Sequence, residues 1–248
     1  MKTLKLLGIT LHDVTVDELH GFIGRKIEAR EKAVIPYLNI HAANLACAQP
    51  WLRDYFNRAA LVICDGDGIR WGLRLLGQSP PPKITYDRWI WQLAAFSAAR
   101  GYRIYLLGAA PGIAEKAQER LKAKFPALQV CGVHHGHFHA SQEENEKVLA
   151  DIQRCRPDIL LVGFGMPLQE KWLLANGPRL DAPVILTGGA ALDYAAGAAR
   201  RAPAWAIRLH LEWLFRLLQE PKRLFRRYAL GIPLFFWRIV LERIRGSI

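Results

Sequence analysis

Leu61-Val62-Ile63-Cys64-Asp65-Gly66-Asp67-Gly68 is a short apolar run that stops at an acidic residue among glycines. That pattern predicts a buried strand delivering a carboxylate to its C-terminal end, with Ile69-Arg70-Trp71-Gly72-Leu73 opening a helix after it. In open α/β sheets, ligands sit at that edge. The glycines let backbone approach a bound group closely, and Asp65 is the one side chain there able to take a proton. It is the candidate general base.

Working outward, the same grammar repeats. Leu4 to Leu11 predicts a first strand, and Thr15-Val16-Asp17-Glu18 has the spacing of a capping box that starts a helix running to about Glu31. Val34 to Asn39 predicts a strand that brings Asn39 to the same edge as Asp65, followed by a helix over Ala42 to Asn57. Gly77 to Lys83, with three consecutive prolines, is a loop crossing that edge, and Thr85 or Asp87 caps the helix that follows, Arg88 to Arg100. Tyr102 to Leu107 is a strand. The Gly108-Ala109-Ala110-Pro111-Gly112 turn after it, leading into a helix to about Lys124, leaves two readings open: a phosphate contact through free N–H groups, or a purely structural turn. The spacing is not the dinucleotide fingerprint, and no nicotinamide cofactor is expected.

Leu128 to Val133 is the next strand, and His134-His135-Gly136-His137-Phe138-His139 follows it. Imidazoles can hold zinc, but one loop with no second ligand cluster predicts a solvated segment and no metal site. Ser141-Gln142-Glu143-Glu144 predicts another capping box, starting a helix to Cys155. Ile159 to Val162 reads as a strand covered on both faces. Gly163-Phe164-Gly165-Met166-Pro167 then places Pro167 as the first helical residue, with Gln169 and Glu170 in the first turn. Val184 to Thr187 is the last strand. About six β-α units in succession predict an α/β fold with a Rossmann-like, doubly wound, mainly parallel sheet over residues 1–200.

Beyond Gly197 the pattern becomes helical, aromatic and basic. Residues 200–248 carry eleven Lys and Arg against three acidic residues, most of the chain's net charge of +12. Arg216, Arg223 and Arg227 fall at roughly helical intervals, although Pro221 intervenes. Residues 201–248 therefore read as a helical appendage that packs on the core and meets an anionic membrane surface, with no nucleic-acid motif accompanying the charge. Four widely spaced cysteines predict a reducing, cytoplasmic setting, and no secretory leader is expected at the N-terminus. No segment reaches the ~20 apolar residues of a membrane span.

Asp65-Gly66-x-Gly68, Gly165-Met166-Pro167-Leu168-Gln169-Glu170-Lys171-Trp172 and the long run Arg201-Ala202-Pro203…Glu212-Trp213-Leu214-Phe215-Arg216 through Pro221-Lys222-Arg223-Leu224-Phe225-Arg226-Arg227-Tyr228 together resemble the WecG/TagA/CpsF family, glycosyltransferase family 26. The likeness extends from about Leu4 to Tyr228. It implies an inverting, metal-independent transfer, without cofactor, from a UDP-sugar donor to a polyprenyl-diphosphate-linked sugar acceptor at the inner face of the cell membrane, in exopolysaccharide or other cell-envelope biosynthesis. The resemblance assigns Asp65 as base and places Gln169, with Glu170 beside it, near the nucleotide sugar. It gives Arg216, Arg223 and Arg226 the diphosphate; Asn39, Lys83, Thr85 and Gly108 are further candidate substrate contacts.

Three positions depart from the family pattern. Tyr37 stands where a threonine is common, Lys83-Ile84-Thr85-Tyr86 stands where an arginine and a Thr-Gly pair are common, and Asp67 creates a D-x-D of the kind that holds a metal ion in other glycosyltransferases. The rival readings are a non-catalytic nucleotide or lipid-phosphate binding module and a nucleic-acid binding protein. A homo-oligomer stays open as an alternative to a monomer.

Overall fold

The computed structural model describes residues 1–138 and 142–246. It opens with an antiparallel hairpin, β1 (Lys2–Leu6) and β2 (Ile9–Asp13), where the sequence predicted one strand. Leu7 and Gly8 at its tip both have positive φ, 51° and 73°, the geometry of a tight primed turn whose twist matches the strands. Leucine is a poor signal for such a turn, which is why the reversal was not legible. α1 (Val16–Glu28) starts at the expected capping box: Thr15 accepts from the Glu18 amide at 3.2 Å, and Glu18 accepts from the Thr15 amide at 2.8 Å.

The chain then runs β3 (Ala33–Ile35), β4 (Tyr37–Leu38), α2 (Ile40–Ala48), α3 (Pro50–Arg58), β5 (Ile63–Cys64), α4 (Asp67–Leu75), α5 (Tyr86–Arg100), β6 (Arg103–Gly108), α6 (Ile113–Lys124) and β7 (Gln129–His134). It continues as α7 (Gln142–Cys155), β8 (Ile159–Gly163), α8 (Leu168–Asn176), β9 (Val184–Thr187) and α9 (Ala191–Ala196). The one helix expected over Ala42 to Asn57 is two, because Pro50 cannot donate into the first and instead starts the second. Pro167 precedes α8 as its cap residue rather than serving as its first helical residue. The predicted cap at Ser141 lies outside the described residues.

Five strands form a parallel sheet in the order β3-β9-β8-β6-β7. β4 and β5 form a separate parallel pair, because Pro36 interrupts the run that begins as β3. The edge is nonetheless continuous. Ala60 donates to Val34 O at 3.1 Å, Ile63 to Pro36 O at 3.0 Å and Asp65 to Leu38 O at 2.9 Å. His12 closes the outer side, donating its amide to Val62 O and accepting the Val62 amide on Nδ1, both at 3.0 Å.

Successive residues of the central strands point to opposite faces, so each strand feeds two cores. Ile104, Leu106, Ile159, Leu161, Val184 and Leu186 join the core under α1, α5, α6 and α9. Tyr105, Leu107, Leu160, Val162 and Ile185 join the opposite core, which also contains Ala42, Ala43, Leu52, Phe56, Ile69 and Leu73. The fold is α/β, with helices covering both faces of the parallel sheet.

After residue 200 come α10 (Ala204–Arg208), α11 (Glu212–Gln219), α12 (Pro221–Ala229) and α13 (Gly231–Gly246). α13 is built into the second core through Phe235 and Ile239, neither of which is exposed. Glu242 accepts the Leu7 amide at 2.9 Å, and Arg238 Nη1 donates to Asn44 O and Oδ1 at 3.0 and 2.8 Å. No helix among the described residues is long and apolar enough to cross a membrane.

Candidate active site

β5 carries Asp65 to the C-terminal edge of the sheet, as the apolar run predicts, and α4 begins two residues later. Gly66 between them has φ 102° and open space where a Cβ would stand, so the chain can turn sharply there. Asn39 caps α2 with Oδ1, accepting the Ala42 amide at 3.0 Å, and presents Nδ2 to Asp65 Oδ2 at 3.3 Å. Burial pushes the Asp65 carboxyl up to about 6, opposed by the Asn39 bond and by the Arg216 and Arg227 charges, and assisted by the Asp87 charge.

Asp67, two residues on, faces a different set of groups. Oδ2 meets Lys83 Nζ at 2.9 Å and His210 Nδ1 at 2.8 Å, and Oδ1 meets Arg70 Nη1 at 3.2 Å. Burial acts to raise its carboxyl, but the His210 and Lys83 bonds carry it below its ordinary value. Lys83 also binds Glu212 Oε2 at 2.6 Å, tying the proline loop to α11. The D-x-D carboxylates thus diverge: Asp67 is tied to His210 and, through Lys83, linked to Glu212 of α11, while Asp65 is hydrogen-bonded by Asn39. Thr85 occupies the cap position of α5 without a side-chain cap bond.

The neighbouring strand ends are closed by backbone alone. A Cβ on Gly108 would lie 2.4 Å from Gly163 O, and one on Gly163 would lie 2.7 Å from Gly189 O. Gly108 is glycine because β8 approaches it, which favours the structural reading of its turn. Gln169 is fully buried beside these ends. Its Oε1 accepts the Gly165 and Gly189 amides at 3.2 and 3.1 Å, and its Nε2 donates to Glu170 Oε1 at 2.7 Å. With oxygen and nitrogen both engaged, Gln169 is a brace between two loops. Glu170 is equally buried, its Oε2 has no partner, and burial pushes its carboxyl up to about 7.

Of the three predicted arginines, Arg216 is drawn inward. Its guanidinium lies 5.3 Å from the Tyr194 ring centroid and donates to Tyr194 Oη at 3.0 Å. Arg223 pairs with Glu220, one turn earlier in the chain, and Arg226 is exposed on α12. Arg227 instead turns inward: its Nε is buried without a partner, and its charge reaches Asp65, Tyr37 and His41. Burial and then Arg227 push the His41 imidazole down to about 4, so that ring is neutral. In the histidine-rich loop, His134 Nδ1 bonds His135 O at 2.8 Å. His139 lies outside the described residues, and among those described no three His, Cys, Asp or Glu side chains gather as a metal site.

The model of the glycosyl transferase WecG/TagA/CpsF family matches residues 4–248. This chain belongs to that family. It is also similar to the N-acetylglucosaminyldiphosphoundecaprenol N-acetyl-beta-D-mannosaminyltransferases of Staphylococcus aureus strains MW2 and MRSA252. Each is 26% identical over 238 residues, spanning 94% of this chain and 91% of the relative.

Within this WecG/TagA/CpsF chain, sequence reasoning passed over four groups that act on Asp65 or on its neighbouring arginines. Arg227 was visible in the helical spacing after Arg216, but Pro221 starts a new helix and shifts its phase, so which of Arg226 and Arg227 faces inward could not be read. Asp87 was noted only as a cap; it pairs with Arg201 Nε at 2.7 Å. Tyr194 and His41 carried no motif. Tyr37, at the family's threonine position, is buried edge-on to Tyr86 with ring centroids 5.7 Å apart. Its hydroxyl lies 2.3 Å from where a Cβ on Gly189 would stand, so it occupies space beside a strand end.

Proposed function

We propose that this chain is an inverting, metal-independent glycosyltransferase that moves a hexose or N-acetylhexosamine from a UDP-sugar to a polyprenyl-diphosphate-linked sugar. It works peripherally at the inner face of the cell membrane, in cell-surface polysaccharide synthesis. The observation that carries this reading is the setting of Asp65 at the end of β5: a buried carboxylate hydrogen-bonded by Asn39, its pKa raised to about 6, with Arg216 and Arg227 within electrostatic reach. A base of that pKa is largely ionised at neutral pH yet still able to hold a proton. The acceptor class is supported by the names of the staphylococcal relatives, which specify a diphosphoundecaprenol-linked sugar.

In the proposed step, Asp65 takes the proton of the acceptor hydroxyl as its oxygen attacks the anomeric carbon. The bond from that carbon to the diphosphate breaks, its electron pair leaves with UDP, and the configuration inverts. Arg216 and Arg227 stabilise charge on diphosphate, for which guanidinium geometry is suited. Asp67 takes no part in metal binding in this scheme, because Lys83, His210 and Arg70 already engage its carboxylate. Gln169 and Glu170 hold the strand-end loops, and Arg223 and Arg226 meet the membrane surface.

The test is UDP release from a panel of UDP-sugars, with and without short-chain polyprenyl-diphosphate-sugar acceptors and with and without chelator. Acceptor-dependent release from one donor, undiminished by chelator, is expected. Binding of UDP with no turnover on any pair would favour a non-catalytic module instead.

A further inference from the structure

A groove of about 540 Å³ between α5, α6, α9 and the segment after α9 shares Asp87 and Tyr194 with the surroundings of Asp65, but none of its cations takes part in the scheme above. Arg88, Arg120, Lys124, Arg200 and Arg201 line it, against a single carboxylate, Asp87. That carboxylate is already engaged by Arg201. Arg88, Lys124 and Arg200 make no ion pair with any described carboxylate, and five cations sharing one wall repel one another unless an anion sits among them.

The wall is also shaped. Trp91 forms part of it, with Lys124 Nζ 5.1 Å and Arg120 Cζ 5.9 Å from its ring centroid, so the indole face fixes two of the cations. Gly197, at φ 74°, leaves the space that the Arg120 guanidinium fills: a Cβ there would lie 2.1 Å from Nη1. Guanidinium groups held this way suit the tetrahedral oxygens of a phosphate ester.

The groove's position selects the source of that phosphate. The Arg200 amide donates to Gln219 Oε1 and its carbonyl accepts from Gln219 Nε2, both at 3.1 Å, which stitches the groove's lip to α11. A few residues on, Trp205 and Leu209 are 61% and 63% exposed on and just after α10. The chain that lines the cationic cavity thus runs within a few residues into outward apolar side chains, the pairing of features that an anionic lipid satisfies with its two ends.

We propose that this groove is a second anion site, taking the phosphodiester headgroup of an anionic membrane lipid while the Asp65 crevice holds the substrates. The proposal rests on the membrane-facing reading of the appendage. The experiment is vesicle flotation of the full chain and of an Arg88→Glu/Lys124→Glu variant, on phosphatidylcholine alone and on phosphatidylcholine with phosphatidylglycerol. A Lys116→Glu/Lys122→Glu variant controls for net charge, since both of those lysines are exposed on α6 outside the groove.

The groove variant should lose at least about tenfold in affinity for the anionic vesicles, a loss of the size expected when basic groups leave an anionic surface. The control should lose much less, and all three proteins should turn over a short-chain acceptor equally without vesicles. Equal losses in both variants, or none in either, would overturn the site. Absence of wild-type binding to any vesicle would instead sink the membrane reading beneath it. Calorimetric titration with glycerol phosphate and with UDP separates the sources. Saturation by glycerol phosphate that vesicles do not compete away would overturn the lipid assignment, and displacement by UDP would return the groove to the donor.

Discussion

Asp65 and Glu170 are two carboxyls that burial keeps above their ordinary range, at about 6 and about 7. For catalysis, the Asp65 value predicts that kcat/KM rises with pH along a limb centred near 6, because the base works only when ionised. A limb that stays in place in Asp65→Glu and Asp65→Asn alike would assign it to another group. Asp65→Asn itself should abolish transfer while the circular dichroism spectrum stays unchanged. For stability the sign runs the other way. A carboxyl whose folded pKa lies above its unfolded value favours the native state at low pH, and that benefit disappears as pH rises through the folded pKa. Native Glu170 therefore makes the protein lose stability between roughly pH 4.5 and 7. Glu170→Gln keeps an acceptor for Gln169 and should remove most of that slope, gaining about 3 kcal/mol at pH 8 from a shift of this size. Urea midpoints across pH report it; a slope as steep as the wild type's would show that Glu170 is ionised without cost.

At the scale of elements, α13 decides what truncation of the appendage means. Deleting everything from Pro203 would remove Phe235 and Ile239 from the second core along with the exposed apolar surface of α10 to α13, so loss of activity in such a fragment would report unfolding. Phe235→Ala should cost about 3–5 kcal/mol through the cavity it leaves. Trp237→Ser, two residues on at a site 61% exposed, should leave the thermal midpoint nearly unchanged and weaken vesicle binding. Gly72→Ala tests the same packing from the other side, since its Cβ would lie 2.8 Å from Phe235 Cζ and 3.1 Å from Leu6 Cδ1. Much of the sheet was legible because apolar runs ended at glycines and acids: Asp65 and Asn39 were placed at one edge from such runs alone. The helix phase after Pro221 was not, since a break resets which residues face inward. Nor was the bracing role of Gln169, which depends on two loop amides that no sequence pattern brings together.

Across the whole molecule, most of the net charge and most of the large exposed apolar side chains fall after residue 199. Trp205, Leu209, Leu218, Phe225, Leu230, Leu234, Trp237, Val240 and Ile244 are all large, apolar and exposed on or between α10 and α13. The whole protein should therefore bind anionic vesicles with a marked decrease at high salt, and a Leu218→Ser/Phe225→Ser variant should bind less at every salt concentration. Salt-independent binding would count against the basic contribution. The bond from Leu7 to Glu242 joins residues 235 positions apart, and α13 shares its core with the opening hairpin. If a bilayer holds the outer side of α13 more tightly in the native state than in the unfolded chain, linkage raises the temperature at which the hairpin, the sheet edge and the surroundings of Asp65 come apart. A contact that draws the protein to a lipid surface would then also tighten its fold.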